Sequence, residues 1–226
     1  MKKYFEVLRR CRLFDGIAEE ELLAMLGCLK GTVRRYEKNQ TVIAEGAPPA
    51  GIGIVLSGAV QVVRVDYYGN RSILTEVGPS QMFGESFACA EVKIMSVDVV
   101  AAEACEVMLV DATRMLHLCS NACEFHNRMI YNLMKIVATK NLMFHQKLEI
   151  LSKRTTREKL MTYLLQQAKL ANSQRFTVPF DRQELADFLE VDRSGLSAEI
   201  GKLRKEGILE SRKSEFVLLG RDKDRQ

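Results

Sequence analysis

The hydrophobic period of this chain changes once, near Asp111, and that change limits what it can fold into. Before it, residues 32 to 111 carry short apolar runs (GIGIVLSG, VQVVRV, RSILTEVG). Gly46, Pro48-Pro49, Gly58, the Tyr68-Gly69-Asn70 hairpin signal, Gly78-Pro79 and Gly84 divide them. Runs of this length with turn residues between them predict the strands of a sandwich or barrel. The preceding EELLAMLGCL has helical spacing and predicts a helix that caps the β-unit. After Asp111 the period is helical, and Cys123, Asn127, Ile130, Met134, Val137, Asn141, Phe144, Leu148 and Leu151 form a 4-3 repeat. A second copy of the same seam can bury it, which predicts a homodimer through residues 123–151, with Asn141 setting a parallel register. The alternative is packing on the chain's own β-unit, a contact that Met129, Leu133, Ile136 and Met143 are placed to make.

The last third is punctuated by helix-capping signals. Thr155 stands three residues before Glu158, a capping box that predicts a helix over 156–170 and a hinge at 152–155. A short β segment, FTVPF, follows. Asp181-Arg-Gln-Glu184 opens another helix, with Leu185, Leu189 and Val191 inward and small Ala186 where two helices must approach. After a turn at Glu190-Val-Asp192, Asp192 is a good N-cap for a further helix whose inward residues Leu196, Ile200 and Leu203 recur at i, i+4, i+7. Gly207 ends that helix, and ILESRKSEFVLL reads as a two-stranded wing tipped by Arg212-Lys213-Ser214. Helix, turn, helix and basic hairpin make a winged helix-turn-helix.

Such a unit is expected to bind double-stranded DNA with the second helix in the major groove. The residues placed for it are Arg182, Arg193, Ser194, Ser197, Ala198 and Lys202, with Arg204 and Lys205 further along and Arg212 and Lys213 on the wing. Arginine gives a bidentate contact to guanine, serine discriminates weakly, and wing cations meet phosphate. The charge agrees. The chain's net charge is +4, and residues 152–226, with 16 Lys+Arg against 12 Asp+Glu, account for all of it. The fold expected is α+β: a jelly-roll-like, cyclic-nucleotide-binding-like β-roll with N-terminal helices over 1–120, a dimerisation helix over 121–151, and a winged helix-turn-helix over 152–226.

The basic opening MKKYFEVLRR lacks the apolar run of a signal peptide, and no stretch reaches the roughly 18 apolar residues of a membrane span. A cytoplasmic location with reduced thiols is the expectation, without membrane contact. An enzyme is not expected. A cupin-like metal oxygenase, the remote alternative, needs His and carboxylate ligands on strands, and no histidine precedes residue 117.

In this order, these elements resemble the CRP/FNR family of bacterial regulators over nearly the whole chain. LFDGIAEEEL, GIGIVLSGAVQVV, FGES at Phe83 to Ser86 and RQELADFLEVDRSGLSAEIGKL are similar to the family's corresponding segments. The resemblance implies a DNA-binding transcription regulator, partnered by RNA polymerase if it activates. It also implies an effector site around Gly84, Glu85, Ser86, Met95, Ser96, Met143 and Phe144. In the family's cyclic-AMP sensors a glutamate holds the ribose and an arginine the cyclic phosphate. Here Glu85 and Ser96 fit that pattern, but Met95 stands at the arginine's place, and a thioether cannot give a phosphate charge-assisted bonds. Met143 and Phe144 stand where those sensors set hydroxyl residues against adenine. Cyclic AMP is therefore disfavoured. The recognition helix also departs from the family's Arg-Glu-Thr-x-x-Arg pattern, keeping only Arg193, so a different operator is expected.

An iron-sulfur cluster is disfavoured because it needs four thiolates and only Cys11 and Cys28 lie near the N-terminus. Haem is disfavoured for want of a motif. His117, Cys119, Cys123 and His126 form a closer group, with the last three at i, i+4, i+7, and are the candidates for a metal or thiol-redox site. The competing reading makes these cysteines small buried hydrophobes. No cofactor is required. The expected control is by an effector other than a cyclic nucleotide, acting through the hinge, with effector-independent or thiol/metal-redox control as the alternative.

Overall fold

A computed structural model describes residues 2–116 and 124–219. They form two compact units: residues 1–70 with 74–142, and residues 71–73 with 143–226.

The first unit opens with two helices, α1 (Phe5–Arg9) and α2 (Glu19–Cys28). Eight strands follow: β1 (Thr32–Tyr36), β2 (Thr41–Ile43), β3 (Ile52–Ser57), β4 (Val60–Val65), β5 (Arg71–Val77), β6 (Met82–Phe83), β7 (Asp98–Ala101) and β8 (Cys105–Val110). The short helix α3 (Glu85–Cys89) lies between β6 and β7, and α4 (Ala112–Leu116) follows β8. The strands form two four-stranded sheets, ordered β1-β8-β3-β6 and β2-β7-β4-β5. Their inner faces enclose one core that includes Val55, Val60, Phe83, Met95, Val99 and Val107.

A second core lies behind β3 and β8, where Leu8, Leu22 and Met25 pack with Ile52, Ile54, Met108 and Val110. This explains why IGIVL is apolar throughout rather than alternating: its five residues are all buried, between the opposite sheet on one side and the helices on the other. Met129 and Leu133 of the long helix α5 (Glu124–Leu151) join the helical core, as expected for the intramolecular contact of that helix. Asn132 adds a polar anchor, its Nδ2 donating to the carbonyls of Leu13 at 3.0 Å and Asp15 at 2.9 Å. The division between the units falls inside α5, after Leu142, and not at its ends, so α5 is shared between the two bodies.

The second unit contains α6 (Thr156–Ala171), β9 (Arg175–Thr177), α7 (Arg182–Leu189), α8 (Arg193–Lys205), β10 (Leu209–Arg212) and β11 (Glu215–Leu218). The three strands make an antiparallel sheet ordered β10-β11-β9. Leu160, Tyr163, Leu164, Leu185, Leu196 and Phe216 are among its core residues. At about 25 cal/mol per Å² of apolar surface, each such side chain contributes roughly 1.5–3 kcal/mol. Tyr163, Phe180 and Phe188 form an aromatic group with ring separations of 4.8 to 6.5 Å, locking α6 to α7. Arg157 of α6 pairs with Glu199 and Glu206 at either end of the second half of α8.

Candidate nucleic-acid interface

Three local devices build the interface. Asp181 caps α7, accepting from Glu184 N at 2.9 Å, while Glu184 accepts from Asp181 N at 2.8 Å. Glu190 then takes a left-handed backbone conformation, φ 51°, which turns the chain toward α8. Asp192 caps α8, accepting from Gly195 N at 2.8 Å and from the Ser194 hydroxyl. These hydrogen bonds, that from Ser194 foremost, hold the Asp192 carboxyl below its ordinary pKa.

The carbonyls left over at the C-terminal end of α7 are met by lysines from two other helices. Lys159 of α6 donates to Leu189 O and Glu190 O, both at 3.2 Å. Lys147 of α5 donates to Phe188 O and sits 3.2 Å from the centre of the Phe188 ring. Burial pushes the Lys147 ammonium down to a pKa of about 7, with Glu190 opposing the shift and Lys159 adding to it. This clamp has no signature in the sequence, because its partners lie 30 and 41 residues apart.

Leu196, Ile200 and Leu203 are buried, as their spacing predicts, and Arg193, Ser194, Ser197, Ala198 and Lys202 are exposed. These exposed residues do not all stand equally free. The Ser194 hydroxyl is engaged by the cap, and Lys202 pairs with Glu199 at 3.4 Å on the side of α8 facing α6. Among the described residues no carboxylate lies within ion-pair distance of Arg193, Arg212 or Lys213. Arg182 is placed differently from a free surface cation. Its Nη2 donates to Lys213 O at 3.3 Å, its guanidinium lies 5.7 Å from the Phe216 ring, and its Nη1 is buried without a partner. It ties the start of α7 to the tip of the wing, where Lys213 adopts φ 54°. Desolvation, and then Arg193, lower its pKa.

In the first unit Gly84, at φ 81°, starts α3 and leads into Glu85, which is buried. The Glu85 carboxylate pairs with Lys140 of α5 at 2.8 Å, and its Oε2 has no partner. Lys140 also donates to Met82 O. Lys140 was not among the residues singled out from the sequence. Ser86 Oγ stands 3.5 Å from Glu85 Oε1. Met95 is 1% exposed in the core between the sheets, while Ser96 beside it faces solvent. The structure therefore sends these neighbours to opposite sides rather than into one shared lining. Met143 and Phe144 are exposed on α5 and belong to the second unit.

Of the candidate metal or redox group, His117, Cys119 and Cys123 lie outside the described residues. His126 is buried, and its Nε2 donates to Arg114 O at 3.3 Å. Among the described residues no three His, Cys, Asp or Glu side chains cluster as metal ligands. The thiols of Cys11, Cys89 and Cys105 are all pushed up by burial, Cys11 to about 11, so the reactive thiolate is disfavoured in each. Among the described residues, no helix is long and apolar enough to cross a membrane.

An N-terminal β-roll, a 28-residue helix and a C-terminal three-helix unit with a basic wing define a two-domain winged helix-turn-helix protein. Residues 33–122 match the cyclic nucleotide-binding domain family, and residues 158–223 match the Crp-like helix-turn-helix domain family. The chain belongs to the CRP/FNR family. It is 35% identical over 80 residues to the CRP-like cAMP-activated global transcriptional regulator of Mycobacterium tuberculosis. That match spans 35% of this chain and about a third, 35%, of the relative's length. Two solved structures carry the fold over most of the chain. The c-di-GMP responsive global regulator CLP of Xanthomonas campestris is 21% identical with a TM-score of 0.72, covering 88% of this chain and 98% of that one. FixK2 of Bradyrhizobium japonicum is 22% identical with a TM-score of 0.67, covering 85% and 94%.

Proposed function

We propose that this chain is a homodimeric, sequence-specific regulator of transcription that binds double-stranded DNA with α8 and the wing. The observation that carries the reading is the exposed N-terminal face of α8: Arg193 stands there without an ion-pair partner among the described residues, with Arg212 and Lys213 equally unpaired on the wing. An arginine left free at the start of a recognition helix can meet a guanine edge, and unpaired wing cations can meet phosphate. Arg193 reads bases, Ser197 and Ala198 line the same face, and Arg182 holds the wing in position. If the regulator activates, RNA polymerase is its further partner. Its place of work is the cytoplasm, where the DNA is.

Dimerisation uses the seam of α5. Met134, Phe144 and Leu148 are 66%, 44% and 63% exposed, and Asn127 and Asn141 are exposed with them. A row of large apolar side chains at 4-3 spacing, left uncovered on a 28-residue helix, fits a second copy of itself.

The effector is not a cyclic nucleotide in this reading, although the curated relative is described as cAMP-activated. Two features oppose it: Met95 offers a phosphate no charge, and Glu85 already spends one carboxylate oxygen on Lys140. Calorimetry with cyclic AMP is expected to show no binding, and micromolar affinity would overturn this part. The DNA reading is tested by fluorescence anisotropy with Arg193→Ala on a duplex selected by the wild-type protein. A loss of about 1 to 3 kcal/mol with relaxed preference at one base pair is expected. Unchanged affinity and unchanged preference would remove Arg193 from the reading.

A further inference from the structure

A groove of about 760 Å³ runs along the second unit between the C-terminal half of α8 and the wing strand β10. Four cations line it from three elements: Arg175 of β9, Arg204 and Lys205 of α8, and Arg212 of β10. Two carboxylates, Glu210 and Glu215, share the lining, which leaves cations in excess. All four cations are exposed, and none has a carboxylate within ion-pair distance among the described residues.

The two flanks of α8 differ in charge state. On the flank toward α6, Glu199 takes up both Arg157 and Lys202, and Glu206 takes up Arg157 again. On the flank toward β10 nothing of the kind occurs. A helix in the major groove has a phosphate strand along its side, and that strand carries a charge every 3.4 Å. The unpaired flank is the one equipped to meet it.

Gly201 supplies a second, independent observation. It lines the same groove in the interior of α8, where glycine is disfavoured, and a Cβ built there would meet nothing within 4 Å. Nothing inside the described chain requires the missing side chain. A backbone that must be approached closely from outside does.

We propose that this groove seats the sugar-phosphate strand of duplex DNA that borders α8, with Arg175, Arg204 and Lys205 as phosphate contacts and Gly201 as the point of close approach. The proposal rests on the DNA-binding reading above and extends it to residues that do not read bases. An acidic peptide laid along the edge strand β10 is the rival occupant. It is less favoured because the groove continues the face that carries Arg193, and one helix face serves one partner at a time.

The experiment compares wild type with Arg175→Ala/Arg204→Ala/Lys205→Ala on a duplex selected by the wild-type protein, by fluorescence anisotropy across a salt series, with thermal unfolding to verify the fold. The plot of log affinity against log salt is expected to become shallower by about two to three, close to 0.9 per lost phosphate contact. Reselection with the variant is expected to return the wild-type sequence. Gly201→Leu, as a second variant, is expected to stay folded and weaken binding at least tenfold. An unchanged slope, with Gly201→Leu binding like wild type, overturns the inference while leaving DNA binding intact. If the triple variant keeps its DNA slope but loses affinity for RNA polymerase, the groove belongs to a protein partner and the inference falls. A wild-type protein that binds no duplex in a salt-dependent way overturns the DNA-binding reading itself.

Discussion

At the scale of single residues, the clearest stakes lie in groups whose local chemistry conflicts with their position. Gly201 is one. Because its site is open, Gly201→Ala is expected to stabilise the fold by about 0.5–1 kcal/mol, read as a raised Tm, and a lowered Tm would show that the glycine serves the fold after all. Lys147 is another. Its folded pKa of about 7 lies below its ordinary value of 10.5. The unfolded chain therefore binds more protons between those values, and stability rises with pH across that window. Below about pH 7 the ammonium is buried charged and its cost is fully present. Lys147→Met is thus expected to raise Tm more at pH 6 than at pH 9, and a difference constant across that range would contradict the assigned titration. Arg193, Asp192 and the inward leucines of α8 were legible in the sequence, since capping and helical spacing are local rules. Lys140 and Lys147 were not. Their importance comes from Glu85 and Phe188, which lie far away along the chain and become neighbours only through folding.

At the scale of elements, the sequence is most readable where each helix declares its own start. Thr155 accepts from Glu158 N at 3.2 Å and Glu158 Oε2 accepts from Thr155 N at 3.1 Å, the capping box their spacing predicts. Thr155→Ala is expected to cost about 1 kcal/mol, and an unchanged denaturant midpoint would show the box to be dispensable. The β-roll was legible as a set of strands, but their arrangement was not. That β1 pairs with β8, 73 residues on, depends on non-local pairing that no local pattern encodes. Helix α5 lies between these cases. Its 4-3 seam and the opposite contacts of Met129 and Leu133 were both visible in the sequence, and the structure shows the second contact made within the chain. The seam itself stays exposed, so Met134→Glu/Leu148→Glu should leave the monomer fold intact and halve the mass measured by sedimentation. A wild-type protein already at the 25.6 kDa of one chain would contradict the dimer.

For the whole molecule, the account couples an exposed seam to a pair of recognition helices. Two copies joined along α5 would present two α8 helices, and matching both to DNA requires half-sites about one helical turn, roughly 10 bp, apart. The control of that spacing is where the sequence says least. Glu85 is neutralised by Lys140, Met95 lies in the core, and part of the Cys/His group falls outside the described residues, so the signal is defined mainly by what the β-roll disfavours. The DNA-binding proposal is more directly exposed to test. Selection of duplexes from a random-sequence pool by the purified full chain, followed by sequencing, measures its specificity and its symmetry at once. The account predicts enrichment of a two-fold symmetric site whose half-sites are centred about 10 bp apart. A pool that stays random, or one enriched for a single unrepeated element, would contradict it.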